Sequence, residues 1–237
     1  MVADRFVRAV MMQVAKRGFV VRRNPAVRRQ AMLRSNGVDV VFDVGAAKGA
    51  YGQELREFGY QDTIVSFEPL AEAYGRLVRA KGDDPLWQTV NCALGSRAEQ
   101  ATIHVAANSD SSSLLPLAQR HLTAAPQVGY VGTETVEVER LDTVAPDHLR
   151  PGSRAFLKID TQGFEREVLD GGQETLRQCV GLQLELSFVP LYEGGMLVDE
   201  AVSMAYAAGF HLVGLEPGFA DPDGQVLQAD GVFFRDV

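Results

Sequence analysis

A glycine-rich turn and an acidic residue downstream of it have the types and spacing of an adenosine-binding site. The segment 43–49 (DVGAAKG) places Asp43, Gly45 and Gly49 where an apolar run ends. Glycines at such a turn let a bulky ligand approach the backbone closely, which larger side chains would block. Glu68 follows 23 residues after Gly45, and its carboxylate can accept hydrogen bonds from both hydroxyl groups of a ribose. Together these residues predict a site for a cofactor that contains adenosine.

The glycine spacing and the acid before it discriminate between two such cofactors. A dinucleotide site prefers G-x-G-x-x-G, which brings a helix N-terminus to a pyrophosphate, whereas this chain has G-x-x-x-G with Ala47 at the middle position. A carboxylate at Asp43 would repel a pyrophosphate but suits a sulfonium with an α-amino group. The pattern therefore favours S-adenosylmethionine over NAD(P). A nicotinamide-dependent oxidoreductase and a non-catalytic adenosyl-binding protein remain the alternatives.

Three further charged residues are candidates for the chemical step. S-adenosylmethionine donates methyl groups, and an acceptor such as a hydroxyl would have to lose its proton, either to a base or with the help of a metal ion. Asp160 ends a predicted strand beside the cofactor crevice and is the first candidate base. Lys158 lies two residues earlier on the same face, where it could tune Asp160 or bind an acceptor. Glu185, in the next strand, could face the same crevice. Two carboxylates could bind a divalent cation such as Mg²⁺, but they are a weak metal signal, so a metal requirement stays open.

Alternating apolar runs and helical patterns position these residues. Apolar runs typical of buried parallel strands alternate with helix-like stretches, which predicts a doubly wound α/β sheet. In the middle, a stretch rich in Ser, Gly, Gln and Pro (108–133) is long for a connection and is interpreted as a mobile functional loop. The predicted strands lie at 38–44, 63–67, 87–91, 101–106, 135–140, 155–159 and 182–186, followed by an antiparallel pair at 210–215 and 231–234.

Charge is distributed unevenly along the 237 residues, whose net charge is -8. Residues 1–34 contain nine basic residues and one acid, which leaves the rest of the chain strongly acidic. We therefore predict two parts, a basic amphipathic helical extension (1–36, with a helix at 3–18) and a Rossmann-like domain (37–237). The acidic domain argues against nucleic acid as a partner. The extension could contact an anionic membrane surface or form a homodimer.

Two cysteines, with no paired spacing, argue against a disulfide framework or a zinc site. The sequence has no apolar run long enough to span a membrane and no signal-peptide pattern. These features predict a cytoplasmic protein, with peripheral contact to the inner face of the membrane as a further possibility.

From about residue 38 onwards the chain resembles the FkbM family of methyltransferases. FLKIDTQGFE and LELS…PLYEGG carry the resemblance most specifically, since general methyltransferases lack them. The matching segments are FDVGAAKGAYG (42–52), SFEPL (66–70), VNCALG (90–95), SDSSSL (109–114), VERLDTV (138–144), FLKIDTQGFEREVLDGG (156–172), LQLELSFVPLYEGG (182–195) and QADGVFF (228–234). The resemblance implies a Rossmann-like class I methyltransferase fold, with a mostly parallel seven-stranded sheet and helices on both faces. It also implies O-methyl transfer from S-adenosylmethionine to a hydroxyl of a small molecule, such as a sugar, glycolipid or secondary metabolite.

The resemblance also assigns cofactor contacts to individual residues. Those after the third strand would line the adenine pocket, and the serines 111–113 would close over the cofactor or the acceptor. The predicted contacts are Asp43, Gly45, Ala46, Gly49, Tyr51, Glu68, Pro69, Asn91, Cys92, Ala93, Ser112 and Asp160. Two positions depart from the family. The family's usual Asn is replaced by Ala47, which predicts a lost side-chain contact and weaker cofactor binding. Its usual Ser is replaced by Gly52, which is interpreted as a minor change.

Overall fold

Strands and helices alternate along the part of the chain that the computed structural model describes, residues 8, 11–18 and 24–235. The strands are β1 Val40–Val44, β2 Thr63–Phe67, β3 Trp87–Val90, β4 Ala93–Leu94, β5 Glu99–Ala106, β6 Tyr130–Glu139, β7 Ala155–Ile159, β8 Cys179–Ser187, β9 His211–Pro217 and β10 Gln228–Phe234. The α-helices are α1 Pro25–Ser35, α2 Ala50–Glu57, α3 Ala71–Lys81, α4 Gln119–Ala124, α5 Leu141–Val144, α6 Glu165–Gly171, α7 Gln173–Gln178 and α8 Val198–Ala207.

The main sheet has seven strands in the order β3-β2-β1-β7-β8-β10-β9. Strands β3, β2, β1, β7 and β8 pair in parallel, and β10 runs antiparallel to both of its neighbours. Every residue of β1 and β7 is buried, as expected for continuous apolar strands covered on both faces. The mostly parallel seven-stranded sheet and the antiparallel pair at its end are thus confirmed.

Helices cover both faces of this sheet, as predicted. On one face, α1, α2 and α3 contribute Leu33, Leu55 and Leu77 to a core that includes the ring of Trp87. On the other face, α5 to α8 pack on the opposite side chains of the same strands. The carboxyl ends of the parallel strands remain free of these layers, and the residues that follow them meet there.

Helix α1 was not identified from the sequence, which predicted a helix in the extension only at 3–18. Asn24 caps the helix by accepting a hydrogen bond from the Ala26 N–H at 3.0 Å, and Pro25 suits its first turn. Leu33 is fully buried in the core, so residues 25–35 pack on the domain. Of the predicted helix 3–18, residues 8 and 11–16 are helical, and the remainder lies outside the described residues.

The segment 108–133 contains regular secondary structure, which corrects its interpretation as a plain loop. It contains α4, a 3₁₀ turn at Pro126–Val128 and the first residues of β6. Strand β6 begins earlier than predicted and pairs with β5 and β4 in a second, three-stranded sheet. The start of β6 was missed because the first half of this strand is largely exposed. A strand with one solvent-exposed face carries polar residues there, and such a stretch resembles a loop in the sequence.

No helix in the described ranges combines the length and the apolar character that a membrane span requires.

Candidate active site

A cleft of ≈ 580 Å³ opens where β1, β2 and β7 end. This is the edge at which open α/β sheets bind ligands. Seven of the predicted site residues line it, and they are Gly45, Glu68, Pro69, Cys92, Ala93, Ser112 and Asp160. The structure therefore brings the glycine-rich turn, the acid after β2 and the acid after β7 to one cavity.

Glu68 is held by backbone groups on the wall of this cleft. Its Oε2 accepts a hydrogen bond from the Ala47 N–H at 2.8 Å, and its Oε1 accepts one from the Leu70 N–H at 2.9 Å. Glu68 is only 5% exposed, and burial raises the pKa of its carboxyl to about 7. Each oxygen keeps a second lone pair, so the carboxylate is oriented and can still accept hydrogen bonds from a ligand.

One end of the cleft is apolar. Side chains from the second sheet and from the turn before α6 form this wall together with the residues after β3, and they include Cys92, Leu94, Ile103, Leu114 and Phe164. A flat, weakly polar ring system fits such a wall, because pockets for cofactors are mainly apolar with a few oriented polar groups.

Gly45 is required by the protein backbone, a reason that the sequence did not indicate. It has φ 74°, and a Cβ atom there would lie 1.9 Å from the carbonyl oxygen of Asp160. The turns after β1 and β7 therefore touch at this glycine. Because Gly45 has no side chain, the two turns can approach each other closely. Glu68 and Asp160, the two predicted acidic residues, then lie at the same opening.

Asp43 lies beneath the cleft rather than on its wall. It is fully buried, with one oxygen accepting from Ser66 Oγ at 3.0 Å and the other 3.0 Å from Lys158 Nζ. Lys158 Nζ also donates to the Gly45 carbonyl at 3.0 Å and lies 3.7 Å from Asp160 Oδ2. Because Asp43 is fully buried, this geometry does not favour the predicted direct contact between Asp43 and a ligand. Asp43 instead fixes the lysine that links the two turns.

Asp160 is the accessible member of a hydrogen-bonded chain. Gln162 Nε2 donates to Asp160 Oδ1 at 2.7 Å and lies 3.2 Å from both oxygens of Glu185. Tyr192 in turn donates its hydroxyl to Gln162 Oε1 at 2.6 Å. Burial and the charge of Asp160 raise the pKa of the Glu185 carboxyl well above its usual value. Glu185 thus lies behind Gln162, and Asp160 faces the cleft.

Four other predicted residues lie away from the cleft wall. Asn91 is exposed and donates from Nδ2 to the carbonyls of Glu68 and Pro69, at 2.8 and 3.0 Å. Gly49 begins α2 and faces α3, while Ala46 and Tyr51 line an adjoining cavity. Asn91 therefore supports the loop that carries Glu68 and does not border the apolar wall.

Three residues other than glycine adopt a positive φ in the described part of the chain, and all three line the cleft. They are Ala47 (φ 47°), Ser109 (φ 59°) and Gln162 (φ 56°). Such conformations cost energy and concentrate at functional sites. In the described part of the chain, all three residues other than glycine that adopt this strained backbone conformation therefore lie on the wall of the cleft.

Glu165 holds the turn that presents Asp160 and Gln162, and the sequence analysis missed it. Its Oε1 accepts from the N–H groups of Thr161 and Gly163, at 3.0 and 3.1 Å, and burial raises its pKa to about 7. Glu165 lies inside the motif FLKIDTQGFE, so the motif could have indicated it.

The described residues contain no group of three or more His, Cys, Asp or Glu side chains that could hold a metal ion. The pairing of Asp160 and Glu185 through Gln162 therefore gives no geometric support for a metal site.

The strand order with one reversed strand, together with the cleft at the strand ends, defines a class I methyltransferase fold. The chain belongs to the FkbM methyltransferase family, because the methyltransferase FkbM domain matches residues 43–212. This match favours methyl transfer over the nicotinamide-dependent and non-catalytic alternatives.

Individual relatives are more distant. The 2-O-methyltransferase NoeI from Sinorhizobium fredii (strain NBRC 101917 / NGR234) is 26% identical over an alignment of 161 residues that covers 65% of this chain and 66% of that protein, just under two thirds of its length. Among solved structures, an rRNA methylase from Streptococcus thermophilus has 10% identity and a TM-score of 0.48, covering 91% of this chain and 99% of that one. A precorrin-6y C5,15-methyltransferase from Geobacter metallireducens GS-15 has 12% identity and a TM-score of 0.45, covering 87% of each chain.

Proposed function

We propose that this protein transfers a methyl group from S-adenosylmethionine to a hydroxyl group of a small molecule. The observation that carries the proposal is that one cleft joins an apolar wall, an oriented carboxylate at Glu68 and an accessible carboxylate at Asp160. When bound, S-adenosylmethionine supplies the methyl group.

The donor set of the cleft fits this cofactor. Glu68 would accept hydrogen bonds from the two ribose hydroxyls with the lone pairs that its backbone partners leave free. The apolar wall beside Cys92 and Ala93 would hold the adenine, and Ser112 would border it from the second sheet. Gly45 and Asp160, at the other end, would face the amino acid portion, and a carboxylate there suits an ammonium group.

Asp160 is the proposed general base. Gln162 donates to its Oδ1, and Oδ2, which lies 3.7 Å from Lys158 Nζ, keeps the lone pairs to take the proton of an acceptor hydroxyl. Lys158 acts as a positioning residue, because its ammonium group is already bound by Asp43 and the Gly45 carbonyl. Glu185 acts through Gln162, whose amide it helps to orient.

The acceptor is proposed only as a class. The name of the relative NoeI, a 2-O-methyltransferase, supports transfer to oxygen. A sugar, a glycolipid or a secondary metabolite would each supply a suitable hydroxyl.

Replacing Asp160 tests this proposal. Asp160→Asn keeps the shape of the side chain but removes the base, so kcat should fall by roughly 10²–10⁴-fold. Affinity for S-adenosylhomocysteine should fall by only about fivefold or less, which is the contribution of one part-exposed charge pair to its ammonium group. The assay follows labelled methyl transfer from S-adenosylmethionine to a panel of free and lipid-linked sugars, and calorimetry follows binding. Asp170→Asn, which changes an exposed aspartate on α6, is the matched control. Full activity of Asp160→Asn would rule out its role as base.

Membrane contact and homodimerisation stay predictions about the N-terminal region. Arg8, Met11, Met12, Lys16 and Arg17 are exposed there, a composition that suits an anionic surface. Failure to bind anionic vesicles at low salt would reject the membrane contact, and a monomeric mass in solution would reject the dimer.

A further inference from the structure

A second cavity, of ≈ 1040 Å³, adjoins the cofactor cleft. The two share Gly45, Ala47, Asp110 and Asp160 as common wall residues. The proposed base therefore borders both spaces, and a molecule in the second cavity can present a hydroxyl to it.

Part of this cavity is built from residues that lie outside the matched domain. Arg29 comes from α1, Glu216 from β9 and Asp230 from β10, whereas the FkbM domain matches residues 43–212. Arg29 is 4% exposed, forms ion pairs with Glu54 and Glu216, and has an Nε without a partner in the described structure. Arg29 and Glu216, which lie outside the matched domain and outside the family motifs, thus form part of the wall of this cavity.

The positive charges on the wall are already paired. Arg29 is bound as above, Lys48 Nζ lies 3.0 Å from Asp110 Oδ1, and Lys158 is bound beneath the cleft. Five carboxylates line the cavity against these three cations, and they are Glu54, Asp110, Asp160, Glu216 and Asp230. The cavity consequently has an excess of negative charge.

Asp230 is the wall carboxylate that this pairing leaves unsatisfied. Within the described residues its carboxylate has no hydrogen bond or ion pair, and it lies directly across from Glu185 on β8 and Glu216 on β9. Glu216 and Asp230 are like charges at opposed positions and repel each other, whereas the raised pKa of Glu185 favours its neutral form. Burial and the charge of Asp160 raise the pKa of Asp230 to about 6. A cation in the cavity would relieve this repulsion, whereas an anion would increase it.

We propose that this cavity binds the methyl acceptor, and that it selects hydroxyl compounds carrying a protonated amine over those carrying a phosphate or carboxylate. The inference rests on the proposed function and adds the acceptor's charge to it. Asp230 would bind the amine, and Asp160 would receive the hydroxyl that is methylated.

Three matched sugars test the selection, namely glucosamine, glucose and glucose 6-phosphate. Their binding to the full chain saturated with S-adenosylhomocysteine is measured by saturation-transfer NMR. Because one charge pair near a protein surface contributes on the order of 1 kcal/mol or more, glucosamine should bind at least about fivefold more tightly than glucose. Glucose 6-phosphate should bind most weakly. The preference for glucosamine should decline as the pH falls below about 6, because Asp230 then becomes neutral.

Variants separate this inference from the proposed function. Asp230→Asn should abolish the preference for glucosamine and leave the affinity for S-adenosylhomocysteine unchanged, whereas Asp223→Asn, an exposed turn residue, should retain both. The inference is overturned if glucosamine gives no signal, if glucose 6-phosphate binds as well, or if Asp230→Asn keeps the preference. Failure of wild type to bind S-adenosylhomocysteine would instead reject the proposed function.

Discussion

Ala47 adopts a left-handed conformation, with φ 47°, in the turn that meets Glu68. A side chain with a Cβ atom pays roughly 1–2 kcal/mol for this conformation, and asparagine adopts it more readily than alanine. The family's usual Asn at this position thus has a backbone role besides the predicted side-chain contact.

We expect Ala47→Asn to stabilise the protein by about 0.5–1 kcal/mol, because the new residue tolerates the existing backbone. The free energy of unfolding from urea denaturation measures the change. Ala207→Asn, at an exposed residue within helix α8, is the control and should give no gain, because asparagine has no advantage over alanine in a helix. A loss of stability in Ala47→Asn would contradict this explanation of the turn.

Gly52 departs from the family for a reason that the structure supplies. A Cβ atom there would lie 2.2 Å from Cζ2 of Trp87, and Trp87 is fixed by a hydrogen bond from its Nε1 to Ser66 Oγ at 3.0 Å. The interpretation of Gly52 as a minor change was therefore wrong. The ring of Trp87 occupies the space that a side chain at position 52 would need. This contact between α2 and β3 cannot be identified from the sequence alone.

Gly52→Ser should accordingly destabilise the fold by about 1–3 kcal/mol through overpacking. Thermal unfolding measures it, with Gly129→Ser as the control, since a Cβ atom at Gly129 has nothing within 4 Å. Equal melting temperatures for the two variants would show that Trp87 can move aside.

At the scale of elements, one turn connects the second sheet with the main sheet. Ser113 donates from Oγ to the Gln162 carbonyl at 2.7 Å, and Tyr192 donates to Gln162 Oε1 and, at 3.3 Å, to the Ser111 carbonyl. The serine segment, the turn after β7 and the segment that carries Tyr192 therefore share Gln162 as a common partner.

Tyr192→Phe should loosen all three segments together, because it removes one hydroxyl that binds two of them. We expect amide hydrogen exchange in residues 108–114 and 160–163 to rise about fivefold, as the loss of a hydrogen bond worth ~1 kcal/mol allows. Tyr206→Phe, at a tyrosine that is 49% exposed, is the control. Faster exchange in only one of the two segments would contradict the coupling.

The elements that carried long apolar runs were predictable from the sequence, and the others were not. Strands β1, β2 and β7 read directly as buried parallel strands because both of their faces are apolar. Helix α1 was missed because its outer face is basic and its buried Arg29 looks like a surface residue. A buried charge can be identified only when its partners, Glu54 and Glu216, are known from the fold.

For the molecule as a whole, the sequence predicted the cleft through residues at strand ends, since parallel strands bring those ends to one edge. It did not predict which of them are accessible. Asp43 and Lys158 form a buried pair, whereas Glu68 and Asp160 border the cavity. Whether these side chains are accessible depends on how α1 and α2 pack on the sheet. The spacing of residues along one strand does not determine that packing.

The central claim is that Glu68 anchors the ribose of S-adenosylmethionine, and calorimetric titration with S-adenosylhomocysteine tests it most directly. Wild type should bind, and Glu68→Gln should weaken binding by roughly 10–100-fold, because an amide keeps the shape but loses acceptor capacity. Glu72→Gln, at an exposed position on α3, should bind as wild type does. Wild-type affinity should also fall as the pH is lowered through about 7, where Glu68 takes up a proton. Absence of binding by wild type, or equal binding by Glu68→Gln, would contradict the account.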